Sequence, residues 1–425
     1  MSAHHAPSAP ADSTNVGIWI VGARGSVATT VAVGAAALAG KLASPTGCVT
    51  ELPFFRDADL PHHTELVFGG HDMVGVPLTK RAAQLAEAGV FPAHLLPQVE
   101  DALRAAEEEI RPGAASGEDQ DGDQWATVTR LAADLVSFRE RNALEQVVVV
   151  NLASTEAPVE PRAAHRSLPE LRAALESGAD VLPPSALYAY AAFQAGCGYV
   201  NFTPSVGASL PALDEFAREA GLPYAGRDGK TGETLVKTAL APMFLHRALR
   251  VRAWSGTNLL GGGDGATLAD PDAARSKTET KTRAVQDILG HPVEGLVHID
   301  NVPEMTEWKT AWDHVLFEGF LGNRMTFQFT WQGCDSALAA PLVLDLVRLV
   351  AMARRRGEGG LLPALGFFFK EPMGSREHDL TRQFDTLVSW ATADDAEDAE
   401  DAEGPDAPGG PDGPGAPAAT PGGAA

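Results

Sequence analysis

The first strong pattern along the chain is an unbroken apolar run, Val16-Gly-Ile-Trp-Ile-Val21, followed by a glycine-bearing turn and an Ala/Val-rich stretch over 26–40. Such a run fits a strand covered on both faces, and the stretch behind it predicts a helix. Further apolar runs at Leu66-Val-Phe, Gln146-Val-Val-Val-Val-Asn151 and Gly198-Tyr-Val-Asn-Phe202 read as buried parallel strands. Helices are predicted over Leu131–Glu145 and 185–196 between them. Strands alternating with helices predict a parallel sheet with helices on both faces.

The pattern changes from about Thr238 to 332. Segments at 248–255, 292–300 and 325–332 alternate apolar and polar positions, which predicts a mostly antiparallel sheet with one covered face. A helix is predicted over 272–290. A further helix over 336–356 and a strand at Ala364-Leu-Gly-Phe-Phe-Phe369 return the chain to the first unit. Residues 111–124 read as a polar surface loop. The Asp/Glu/Ala and Pro/Gly/Ala composition from Ala393 cannot bury a core, so 393–425 are expected to be disordered, as are 1–14.

Composition narrows the classes. A chain of 425 residues with 44% hydrophobic and 21% charged residues fits an ordinary globular protein. The net charge is −23, and nine acids with no base lie in the tail from Ala393. That balance excludes nucleic acid and anionic membranes as partners and requires a local basic pocket for any anionic substrate. No apolar run reads as a membrane span, and no basic-then-apolar leader opens the chain. Three widely spaced cysteines, Cys48, Cys197 and Cys334, fit reduced thiols in a cytoplasmic protein. No group of ligand residues has metal spacing, so no metal centre is expected.

The positive charges carry the candidate chemistry. Only eight of the 33 basic residues are lysines. Four of them, Lys277, Lys281, Lys309 and Lys370, sit where a surface charge is out of place. An ammonium shifts its pKa and hands over protons when desolvated, which a guanidinium does not. The alternative is that individual lysines snorkel, stem buried and head in water. Lys277 and Lys281 are spaced i, i+4, on one helical stripe with Val285 and Ile288. Two cations on an inward face call for an anion between them; an exposed charged turn is the other reading.

Gly22-Ala-Arg-Gly25-Ser-Val-Ala28 is a strand–turn–helix junction of the kind that admits a nucleotide pyrophosphate, although such turns also occur without ligand. The acid expected about 20 residues later is missing, and Asp72, after Phe68-Gly-Gly-His71, is the nearest candidate. Gly261-Gly-Gly-Asp264 is a second close-approach turn or a plain tight turn. Asp335 either caps the helix behind it or faces a cleft.

Taken together and in order, these motifs resemble the inositol-3-phosphate synthase family, bacterial branch, from about Val16 to Trp390. The carriers are Val21-Gly-Ala-Arg-Gly-Ser-Val-Ala-Thr-Thr30, Phe68-Gly-Gly-His-Asp72, Tyr199-Val-Asn-Phe-Thr-Pro-Ser205, Gly226–Lys237, Gly263-Asp-Gly265, Ser276–Lys281, Trp308–Asp313, Cys334-Asp-Ser336 and Phe369-Lys-Glu-Pro372. The resemblance implies an α/β fold. A Rossmann-like NAD-binding domain, 15–237 with a return over 333–392, holds an inserted α+β catalytic and oligomerisation domain over 238–332, commonly tetrameric.

It also implies NAD as cofactor and a sugar phosphate, glucose 6-phosphate, as substrate. The reaction runs through oxidation at C5, enolisation, intramolecular aldol closure and re-reduction. By the family pattern Lys277, Lys281, Lys309, Lys370 and Asp335 are catalytic. Gly22, Ala23, Arg24, Gly25, Ser26, Val27, Asp72, Ala153, Ser154, Thr155, Asp228 and Asp264 surround NAD. Asn201, Thr231, Gly232, Glu233 and Thr234 bind substrate. Glu233 and Leu235 depart from the eukaryotic pattern of Gln and Lys, which leaves a cyclase of another sugar phosphate as the alternative.

Overall fold

A computed structural model of the chain describes residues 13–114, 123–261 and 285–393. Its strands are β1 (Val16–Val21), β2 (Leu66–Asp72), β3 (Ile110–Pro112), β4 (Gln146–Asn151), β5 (Gly198–Asn201), β6 (Pro223–Gly226), β7 (Arg250–Leu260), β8 (Val297–Asn301), β9 (Trp308–Glu318), β10 (Arg324–Cys334) and β11 (Gly360–Leu361). Seven of them form one sheet in the order β11-β6-β5-β4-β1-β2-β3, with every pair parallel. The run from β3 to β6 is the order of a dinucleotide-binding sheet, and its reversal falls between β1 and β4.

The apolar runs explain this sheet. All six residues of β1 and all six of β4 are buried. Ile18, Ile20, Val148 and Val150 face the helices Ser26–Ala39 and Asp335–Arg355. Trp19, Val21, Val147 and Val149 face Gln124–Arg141 and Pro184–Gln194. Gly70 is demanded by close approach, because a Cβ there would lie 2.3 Å from the Ile20 carbonyl oxygen. The helix Asp335–Arg355 is long and apolar enough to cross a membrane by composition, contrary to the sequence reading. It is packed in the core, where Asp345 accepts from Thr50 and Arg348 donates to Pro61.

The second sheet, in the order β10-β9-β7-β8, pairs antiparallel except for β7 with β8. Its inner face holds Val251, Trp254 and Val315 against Ala241 and Phe244 of the helix Glu233–His246.

Four segments differ from the sequence reading. The segment at 364–369 is a 3-10 helix, Pro363–Phe368, and only Gly360–Leu361 reach the sheet. Pro363 fixes φ for a helical start, and a short apolar run alone does not separate strand from helix. Strand β9 was not anticipated because its pattern is inverted. Ala311, Asp313 and Val315 point inward while Trp308 and Trp312 are exposed. The loop read over 111–124 begins as β3, and the helix read over 131–145 spans Gln124–Arg141, with the Asp123 carboxylate accepting from Trp125 N–H.

Candidate active site and nucleotide cleft

Strand β1 ends in a turn that only glycine makes comfortably: Gly22 has φ +83° and lies against the backbone of Ala153. The Gly22 and Ala23 amides both donate to the His71 carbonyl, which ties the turn to the end of β2. Gly25 caps the helix Ser26–Ala39 with no side chain, so its first-turn amides are left for an external acceptor. The cleft above this helix end has a volume of about 900 Å³ and is lined by Gly22, Arg24, Gly25, Asp72, Ala153, Ser154 and Thr155 among others. An open helix end in a cavity at the sheet's reversal fits a dinucleotide pyrophosphate.

Asp72 closes β2, the position from which a dinucleotide fold contacts the ribose. Its carboxylate accepts the Arg24 amide at 2.6 Å and the Val74 amide at 2.7 Å, so it also shapes the turn. Beside it, Trp19 Nε1 donates to His71 Nδ1 at 2.9 Å. An indole nitrogen is only a donor, so His71 carries its proton on Nε2 and donates to Asp134. Burial lowers the His71 pKa and keeps this neutral tautomer.

The loop after β6 gathers the second half of the site. Lys370 Nζ lies 2.8 Å from Asp228 Oδ1, and Lys309 Nζ lies 3.2 Å from Asp335 Oδ2. Thr231 Oγ1 donates to the other oxygen of Asp335 at 3.3 Å. One short loop, 228–232, therefore joins both lysine–carboxylate pairs. It runs straight into the helix Glu233–His246, whose cap, Gly232, also has no side-chain bond. Asp335 faces Thr231 and Lys309 and does not cap its own helix; Cys334 holds the cap position.

A profile of the family described as Myo-inositol-1-phosphate synthase matches residues 16–391. The chain is 34% identical over 407 residues to inositol-3-phosphate synthase 1 of Bacteroides thetaiotaomicron, across 88% of this chain and 93% of that relative. This chain belongs to the myo-inositol-1-phosphate synthase family. It is also 33% identical to the inositol-3-phosphate synthase of Trypanosoma brucei brucei, across 68% of this chain and 58% of that longer protein. In fold it is similar to inositol-3-phosphate synthase of Caenorhabditis elegans, with TM-score 0.78, 23% identity and coverage of 94% and 90% of the two chains. A myo-inositol-1-phosphate synthase-related protein of Thermotoga maritima superposes with TM-score 0.71 at 24% identity, across 89% and 98%. NAD is the cofactor of this synthase family, and the open turn at Gly22–Ser26 fits it.

Within the synthase fold the predicted residues divide. The turn residues Gly22, Arg24 and Gly25, with Asp72 and Ala153–Thr155, share the nucleotide cleft. Ala23 is buried under it, Ser26 and Val27 start the helix, and Asp228 lies beyond it, paired with Lys370. Lys309, Lys370 and Asp335 converge around the 228–232 loop together with Thr231 and Gly232. Thr234 is buried in the first turn behind them. Lys277, Lys281 and Asp264 lie outside the described residues, although Val285 and Ile288 of their stripe pack into the second core.

Asn201 is buried at the end of β5. It donates to the Ser205 carbonyl at 2.7 Å and accepts from Thr203 Oγ1 at 2.8 Å, so its amide serves the turn. Glu233 does not face outward to a phosphate; its carboxylate lies 2.6 Å from Lys237 in the interior.

Four residues of the region escaped the sequence reading. Lys237 bridges Glu233 and Asp313, at 2.6 and 3.2 Å, with Trp254 Nε1 donating to Asp313 at 2.8 Å. Burial holds the Asp313 carboxyl above its usual pKa. Lys230, 3% exposed, donates to Gln383 Oε1 and lies 5.7 Å from the Phe367 ring centre. Burial pushes its ammonium down to about 7. Arg81 and Glu307 join the two halves of the site. The scarcity of lysine was the signal for Lys230 and Lys237, since both stand in the same Gly226–Lys237 motif.

Proposed function

We propose that this chain converts D-glucose 6-phosphate to 1D-myo-inositol 3-phosphate as an NAD-dependent isomerase of the intramolecular lyase type. The observation that carries this reading is the 228–232 loop. It places two lysine–carboxylate pairs, Lys370–Asp228 and Lys309–Asp335, beside an uncapped helix start in a fold whose other cleft suits a dinucleotide.

NAD, when bound, supplies reversible hydride uptake at C5. The side chains supply everything else. The amides at Gly232, Glu233 and Thr234, with Thr231 Oγ1, form the phosphate cradle, where an anion is favoured by the helix end. Lys370 holds the C1 oxygen, where charge develops as C6 bonds to the C1 carbon, and Lys309 stands beside the reacting centre. Asp228 and Asp335 orient these ammonium groups and balance their charge. Lys277 and Lys281, outside the described residues, complete the cation set at the C5 oxygen and the phosphate. The inward pairing of Glu233 with Lys237 answers one of the two departures, Glu233 and Leu235, that favoured another sugar phosphate.

Assembly as a homotetramer and a cytoplasmic location belong to the same proposal. The outer face of the second sheet exposes Trp312, and the β9–β10 turn exposes Phe320 and Leu321. Large apolar side chains left exposed in this way favour an association surface. Light scattering on the purified chain tests the assembly. For the reaction, the chain is incubated with glucose 6-phosphate and NAD and the product read by NMR. A non-reducing cyclitol monophosphate is expected; an unconverted hexose phosphate overturns the proposal.

A further inference from the structure

Ser26 opens the helix that faces the nucleotide cleft, and its hydroxyl donates to Glu307 Oε1 at 3.0 Å. A carboxylate that close to a phosphate-binding helix end repels the anion unless a cation lies between them. Arg81 provides it: Nη2 lies 2.6 Å from Ser26 Oγ and 3.2 Å from Glu307 Oε1. Arg81 lines the nucleotide cleft, as does Arg24. Arg24 is committed elsewhere, since its nitrogens donate to Glu107 and to the Val74 carbonyl. Among the described residues the other terminal nitrogen of Arg81 donates to Gln84, at 3.3 Å.

Glu307 also faces the chemistry. It stands two residues before Lys309, and its Oε2 accepts from Ser336, the neighbour of Asp335, at 3.1 Å. The intervening Trp308 donates from Nε1 to the Ala88 carbonyl at 3.0 Å, at the end of the Arg81 helix. The strand carrying Lys309 is thus moored to the cleft wall at two successive residues.

We propose that Arg81 and Glu307 form a clasp between the two halves of the site: Arg81 takes the pyrophosphate of the cofactor, and Glu307 is a positioning residue that sets Lys309 against Asp335. This rests on the NAD-dependent reading above. A guanidinium has five donors, so Arg81 serves the anion and Glu307 together.

The test uses the full chain stripped of nucleotide, with NAD affinity read by calorimetry alongside turnover. Arg81→Met is expected to raise the Kd for NAD about tenfold or more, the scale of one charge-assisted hydrogen bond. Arg81→Lys keeps the charge and recovers part of the affinity. Glu307→Gln is expected to lower kcat about tenfold while KM for glucose 6-phosphate stays within about threefold, the signature of lost placement without lost binding. Glu307→Asp restores part of kcat. The double variant binds NAD more tightly than the product of the two single effects predicts, because the residues share one network. Wild-type NAD affinity in Arg81→Met, wild-type kcat in Glu307→Gln, or strictly multiplicative effects each overturn the clasp. A wild-type chain that binds no NAD overturns the underlying reading instead.

Discussion

Lys370 meets Asp228 twice. Its backbone amide donates to the Asp228 carbonyl at 2.7 Å, and its ammonium reaches the Asp228 carboxylate at 2.8 Å. The first bond belongs to a short antiparallel stitch that includes Lys230 N–H to the Phe368 carbonyl and Gly229 opposite Phe369. The second aims the ammonium into the site. Backbone pairing therefore sets the position of Lys370 and the carboxylate sets its direction.

Lys370→Ala is expected to fold normally, because the side chain is at the edge of the core and the main-chain stitch survives. Its turnover should fall by roughly a thousandfold, the cost of removing one preorganised oxyanion partner. Asp228→Asn should fall less, because it keeps the geometry and loses the charge. Steady-state kinetics with near-ultraviolet circular dichroism separates the two effects.

The buried group of Lys237, Glu233 and Asp313 predicts a stability result. Lys237→Met removes the cation that bridges the two buried carboxylates of Glu233 and Asp313. Breaking a buried ion pair from one side costs about 3–5 kcal/mol. Glu233→Gln removes one of the two like charges facing Lys237 and should cost clearly less. Urea unfolding of both variants checks the order.

Lys230 predicts a pH dependence. Its ammonium is lowered from 10.5 to about 7 in the folded chain. Between about pH 7 and pH 10 the unfolded chain binds this proton and the folded chain does not, so stability rises with pH through that window. Below pH 7 both states are protonated and the contribution is flat. One group adds at most about 1.4 kcal/mol per pH unit. Lys230→Met should flatten the rise between pH 7 and 9 in chemical denaturation, while an unchanged slope excludes Lys230 as its source.

Asp72 predicts a cofactor effect. Its carboxylate holds the amides of Arg24 and Val74 at the mouth of the cleft. Asp72→Ala should raise the Kd for NAD about tenfold or more by loosening the turn and removing a carboxylate acceptor from the cleft. Fluorescence titration with NAD measures it.

The parallel sheet was legible because β1 and β4 are apolar on both faces, and that burial writes itself as uninterrupted runs. Asp72 was found although it lies about 50 residues past the glycine turn, since the Phe68-Gly-Gly-His motif marks a strand end regardless of distance. Strand β9 was hidden because an exposed tryptophan and a buried aspartate reverse the usual signal. The pairing of Glu233 with Lys237 was readable as an i, i+4 spacing, but its burial depends on Trp254, about 20 residues further on in β7, and Asp313, about 80 residues further on in β9. Arg81 and Glu307 carry no local motif; only the packing of the 78–88 segment on β9 brings them together.

In the proposed reaction hydride leaves C5 and returns to the same carbon, with lysines handling the protons between. Glucose 6-phosphate deuterated at C5 tests this directly. The expected product is a cyclitol monophosphate that keeps deuterium at the carbon derived from C5, with no net rise in NADH absorbance. Accumulation of reduced cofactor in proportion to sugar consumed, or a cyclitol that has lost the label, would contradict it.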